Sequence, residues 1–170
     1  MRLQWVNSAG GPLICASPAN GKMWRGTRGS SIDGTESDYF RACEQMDYIN
    51  VIPCGASEVL VLGDEPLQSA FVLKDDSVIV VRWVSCLSNE HAASAIARLP
   101  SVAPVVEESK KFRLDESGLI MFDASLDRVD PLACANVDLQ PGMFTVRTEA
   151  YESEGVCEFL IHRLIRDQFH

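Results

Sequence analysis

Apolar residues along this chain fall mostly into short runs that alternate with polar ones, the two-residue period of a strand buried on one face. Such runs are "LQWVN" (3–7), "PLICA" (12–16), "YINVIPC" (48–54), "EVLVLG" (58–63) and "SAFVLK" (69–74). "SVIVVRWVSC" (77–86) is almost wholly apolar and β-branched, which predicts a central strand covered on both faces. Short links join several runs: "SAGG" after residue 7, "DESG" between "KKFRL" and "GLIMFD", and "ESEG" between "MFTVRTEAY" and "VCEFLIHRLI". Links this short cannot carry a parallel crossover, so each predicts an antiparallel hairpin.

Helical spacing is visible twice. Ser37 is placed to cap "DYFRACEQMD", in which Tyr39, Phe40, Cys43 and Met46 share a face and Asp38 favours the first turn. A second helix is predicted at about 89–99, with Asn89 as cap, Ala92, Ala95, Ile96 and Leu99 as the apolar stripe, and Pro100 as the stop. Residues 17–37, with glycines at 21, 26, 29 and 34, read as a mobile Gly/Ser-rich surface loop. The expected fold is α+β: a largely antiparallel sheet built from hairpins, with about two helices packed on it.

A chain of 170 residues is large enough for one core without disulfides or metals, so residues 1–170 are expected to form a single domain. The six cysteines form no C-x-x-C pair and lie mostly in apolar runs, which favours buried free thiols over disulfides or zinc ligands. Residues 1–16 lack the apolar run of a signal peptide and no window approaches a membrane span, so a cytoplasmic location is expected.

Charge is distributed unevenly along the chain. All 24 acidic residues lie in 33–170, against 11 of the 15 basic ones. Such a field repels nucleic acid and anionic membranes and accelerates encounter with basic partners. Eight of the acids sit in turns: Asp64 and Glu65 in "GDEP", Asp75 and Asp76 in "KDDS", Asp115 and Glu116 in "DESG", and Glu152 and Glu154 in "ESEG". Turns favour Asp for backbone reasons, and they are also where partners are met.

Catalytic motifs fail in detail. "ASPANGKM" has Ala16 where a phosphate loop needs glycine and Met23 where magnesium needs a hydroxyl. "GASEV" ends in Val59 instead of the last glycine of a nucleophile elbow. His91 has no second histidine four residues on, and His162 alternates along its strand with Glu158, so a small hydrolase built from scattered carboxylates with His91 or His162, or Cys54, is the weaker reading, as is a ligand-binding regulatory module. Asp64 and Glu65 are adjacent in a turn and point different ways, a poor acid–base pair. Gly63 would permit a positive φ there and Pro66 would end the ladder. Trp24 beside Arg25 is either a core residue folded back on the sheet or an exposed interface anchor.

Several segments together resemble one family: "WVNSAGGPLICA", "WRG", "DYFRACEQMDYINVIPCGASEVLVLGDEPLQSAFV", "VIVVRWV", "FTVRTEAYE" and "LIHRL". In order, they are similar to the immunity protein 21 family of bacterial polymorphic toxin systems. The resemblance implies an α+β intracellular protein that binds and neutralises a cognate toxin; the free protein is expected to be a monomer. It brings no catalytic residue, cofactor or metal. Joined to the acidity, it points to a basic toxin, and to Asp64, Glu65, Asp75, Asp76, Trp24, Arg25, Asp115 and Glu116 as candidate contacts.

Overall fold

The structure, a computed structural model, describes residues 3–63, 65–75 and 77–168; Asp64, Asp76 and His170 lie outside the described residues. Among the described residues, ten strands form two five-stranded sheets in which every pairing is antiparallel. The first sheet runs β2 (Asn50–Cys54), β3 (Ser57–Leu62), β1 (Leu13–Ala16), β7 (Leu119–Asp123) and β8 (Ala135–Val137). The second runs β4 (Ser69–Lys74), β5 (Ser77–Cys86), β10 (Cys157–Arg166), β9 (Gly142–Ser153) and β6 (Lys110–Leu114). The α+β class with antiparallel sheet dominant holds, but the expected single sheet is two.

Alternation explains the layering. Leu13, Cys15, Leu60 and Leu62 of the first sheet meet Val78, Val80, Phe144 and Leu164 of the second in a central apolar layer. The opposite face of the first sheet carries Ile14, Val59, Val61 and Phe122, covered by Trp24 and by Ala42 of α2 (Asp38–Cys43). The opposite face of the second carries Ile79, Val81, Phe159 and Ile161, covered by Ala92, Ala95 and Ile96 of α3 (Asn89–Ala97) and by Leu99 just beyond it, the predicted stripe. Strand β5 is buried from Val78 to Arg82, as a strand covered on both faces must be.

Three turn readings need separating. "ESEG" closes the β9–β10 hairpin with Glu154 and Gly155 at φ 53° and 66°, the left-handed pair that matches strand twist. "DESG" is no hairpin: β6 belongs to the second sheet and β7 to the first, so the link arches between sheets. "SAGG" is likewise an arch, since Val6 bridges to Ser69 of β4 while β1 pairs with β3 and β7. A link of turn length with strand-like flanks has the same sequence signature in both cases.

Residues 17–37, expected to be irregular, hold α1 (Pro18–Met23), capped by Ser17, and a 3-10 turn at Gly26–Arg28. The carboxylate of Asp38, fully buried, ties this stretch down by accepting from the backbone N–H groups of Arg25 (2.8 Å) and Ser31 (2.9 Å) and from Arg41 (2.6 Å). The caps also shift slightly. Ser37 caps α2 as expected, but that helix buries Asp38 and Ala42 and leaves Phe40 and Cys43 exposed, and Met46, expected on the same helix, is exposed beyond its end. Ser88, not Asn89, caps α3. Cys86 and Cys157 are paired as a disulfide across β5 and β10, correcting the expectation of free thiols at these two positions; Cys15, Cys43, Cys54 and Cys134 are free.

Candidate partner-binding surface

The chain leaves the first sheet after Leu62 and enters the second at Ser69, and a buried guanidinium holds carbonyls on this connection. Arg82 of β5, 1% exposed, donates to the carbonyls of Tyr48 (2.9 Å), Gly63 (2.8 Å) and Glu65. Gly63 is glycine for lack of space: a Cβ there would lie 2.4 Å from the Asp47 carbonyl and 2.7 Å from that of Gln45. The positive φ expected of Gly63 is not what the structure uses.

A second wall comes from residues 100–106, which leave α3 and lie along the free edge of β9. Ala150 N–H donates to Pro104 O (2.9 Å) and Val106 N–H to Thr148 O (3.1 Å). Beneath them the fully buried carboxylate of Glu149 accepts from Arg147 (2.6 Å), Arg163 (3.1 Å) and Ala103 N–H (3.1 Å). Glu107 then bonds the N–H groups of Tyr48 (2.8 Å) and Ile49 (3.2 Å), linking this wall to the first sheet.

Between the two walls lies a cleft of about 650 Å³ at the Cys86 end of the second sheet. Its apolar lining includes Tyr48, Leu67, Val84, Val102, Val106 and Leu160, and its carboxylates are Glu65, Glu152 and Glu158. Val84 is the extra residue of a β-bulge: Glu158 pairs with Ser85 and Phe159 with Trp83, leaving Val84 without a partner in β10. Among the described residues, no histidine or cysteine lines the cleft.

The candidate residues scatter over this frame. Glu65 is exposed and lines the cleft. Trp24 is 1% exposed and donates its indole N–H to Ala124 O at 2.8 Å, so of its two readings the core one is correct. Arg25 is exposed. Asp75, at φ 51°, accepts from Ser101 Oγ (3.1 Å) in the β4–β5 turn. Asp115 pairs with Arg113 (2.9 Å), and Glu116 accepts from the N–H of Ala19 in α1's first turn. Val84, Val102, Val106 and Glu158 were not among the predicted contacts, and Glu158 was visible only as a strand neighbour of His162. The only signal for the wall was "RLPSVAPVVEES", where valines between prolines lack a polar alternation.

His91 bonds Ser88 (2.8 Å) within α3's capping turn. His162 is sealed from solvent against Thr148 Oγ1 (3.1 Å), whereas Glu158 on the same strand is exposed. Burial, and then the Arg82 charge, hold the His162 imidazole well below its ordinary 6.5, so it stays neutral in the fold. The unfolded chain therefore takes up a proton near 6.5 that the folded chain refuses, and stability falls as pH drops below 6.5 by up to about 1.4 kcal/mol per pH unit. Urea unfolding at pH 7 and 5.5 should show this loss in the native chain and not in His162→Gln; equal losses in both would refute it. Burial likewise pushes the Cys54 thiol up, away from nucleophilic use. No group of three or more His, Cys, Asp or Glu among the described residues is arranged to hold a metal.

No helix among the described residues is long and apolar enough to cross a membrane. No curated protein and no solved structure matches the chain. The sequence profile of one family does, over residues 4–155, and with that span of the 170 residues covered the chain belongs to the immunity protein 21 family.

Proposed function

We propose that this chain is a non-catalytic immunity protein that binds a cognate toxin of a bacterial polymorphic toxin system and neutralises it by covering its active surface. The family match carries the immunity role. The net charge of −9 favours a basic toxin, and a nuclease domain is the class whose substrate-binding surface an acidic protein covers best. The protein acts as a cytoplasmic monomer with one folded unit, and the complex buries about 1,200–2,000 Å² in total, the usual size of a specific interface.

Co-expression with the toxin encoded beside it tests the reading. Growth should be restored, and the two chains should elute together from gel filtration at micromolar concentration. Absence of a complex there, with toxicity unrelieved, overturns the proposal.

A further inference from the structure

We infer that the cleft between residues 65–68 and 100–106 is the surface that takes the toxin, and that an apolar side chain flanked by lysine or arginine enters it. The inference rests on the immunity reading and adds the place and chemistry of the contact.

Shape comes first. Long strands β5, β9 and β10 carry the second sheet to the Cys86–Cys157 end, and the Val84 bulge interrupts the ladder there. Val84, Val102 and Val106 remain 45%, 64% and 44% exposed, gathered at one opening. Clustered exposed apolar side chains beside a preformed hollow are the usual setting of an interface anchor. The walls are also fixed in advance, one by Arg82 and the other by Glu149, so little order has to be created on binding.

Charge then selects the occupant. Glu65, Glu152 and Glu158 stand among the lining residues, and the one cation among the described lining residues, Arg82, is buried against carbonyls. A second copy of this chain would bring its own net −9 and its own carboxylates to the contact, so self-association is opposed. A nucleic acid is opposed on the same ground. A protein segment with an apolar residue between basic ones meets both the valines and the glutamates. Asp75 and Asp115 are not among the residues that line this cleft, and Asp75 lies at the Ser77 end of β5 with Glu158 opposite Ser85, about 25 Å apart along the strand.

The probe is the toxin domain, co-expressed with the native chain, separated in denaturant and refolded, with binding kinetics followed from 50 to 300 mM salt. Glu152→Lys with Glu158→Lys should slow association about tenfold or more and flatten its salt dependence. Val84→Asp, at an exposed position, should weaken binding roughly 30-fold through faster dissociation. Asp75→Asn with Asp115→Asn should leave both rates near those of the native chain. Native-like rates in both cleft variants, with melting curves unchanged, overturn the cleft and leave the immunity role standing. Failure of the native chain to bind overturns both. A native dimer that Val84→Asp dissociates gives the cleft to a second copy and overturns the inference.

Discussion

Replacing Glu149 by alanine should remove about 3–5 kcal/mol of folding stability, because it strands a buried guanidinium instead of simply deleting a contact. Arg163 is 4% exposed and directs its Nε and Nη2 to the Glu149 carboxylate, with Pro100 O as a further acceptor. Without the carboxylate, Arg163 keeps its charge in a site water cannot reach, and Ala103 N–H loses its acceptor. For a chain of this size the melting temperature should fall by about 10 °C. The native pair also has a pH signature. Burial alone would raise the Glu149 carboxyl, but hydrogen bonds from Arg163 and Arg147, and then their charges, outweigh it and hold it below its usual 4.5. A lowered carboxylate contributes stability that is present above 4.5 and lost as pH falls below it, so Glu149→Gln should show a shallower acid loss between pH 4.5 and 3. An alanine variant within about 1 kcal/mol of the native chain in urea unfolding would show that the charge is not isolated as the burial implies.

What the sequence reveals of this fold follows from which interactions are local. The β9–β10 hairpin is legible because "ESEG" supplies its left-handed turn within four residues, and α3 because Ala92, Ala95, Ile96 and Leu99 repeat at helical spacing. The arches at "SAGG" and "DESG" are not, since whether two strands pair or face each other depends on partners far along the chain. Thus Phe112 of β6 and Leu119 of β7 point into one central layer from opposite sheets. Asp38 was visible as a first-turn acid, but its part in ordering residues 25–31 depends on full burial, which helix periodicity does not report. The cleft was least legible. Acidic turns stand out in the sequence, yet Glu65 joins Glu152 and Glu158 only through sheet order, and Val84 becomes an exposed bulge only once β5 and β10 take their register.

Arg82→Met should be comparably damaging, about 3–5 kcal/mol, for the opposite electrostatic reason. Here the guanidinium is the donor, and its loss leaves the carbonyls of Tyr48, Gly63 and Glu65 without it where the chain crosses between sheets. Methionine fills the volume and supplies no N–H. Lysine restores the charge but presents a single ammonium in place of a planar fork spanning carbonyls from two segments, so Arg82→Lys should recover only part of the loss. The imidazole of His162 gives an independent readout. Burial is the main cause of its low pKa and the Arg82 charge adds to it, so removing that charge should move the His162 titration upward while the imidazole stays buried. Nuclear magnetic resonance of the ring protons in the methionine variant measures this directly. An unmoved titration, together with stability near that of the native chain, would mean that Gly63 and Glu65 are held by the tightness of the Gly63 approach and not by Arg82.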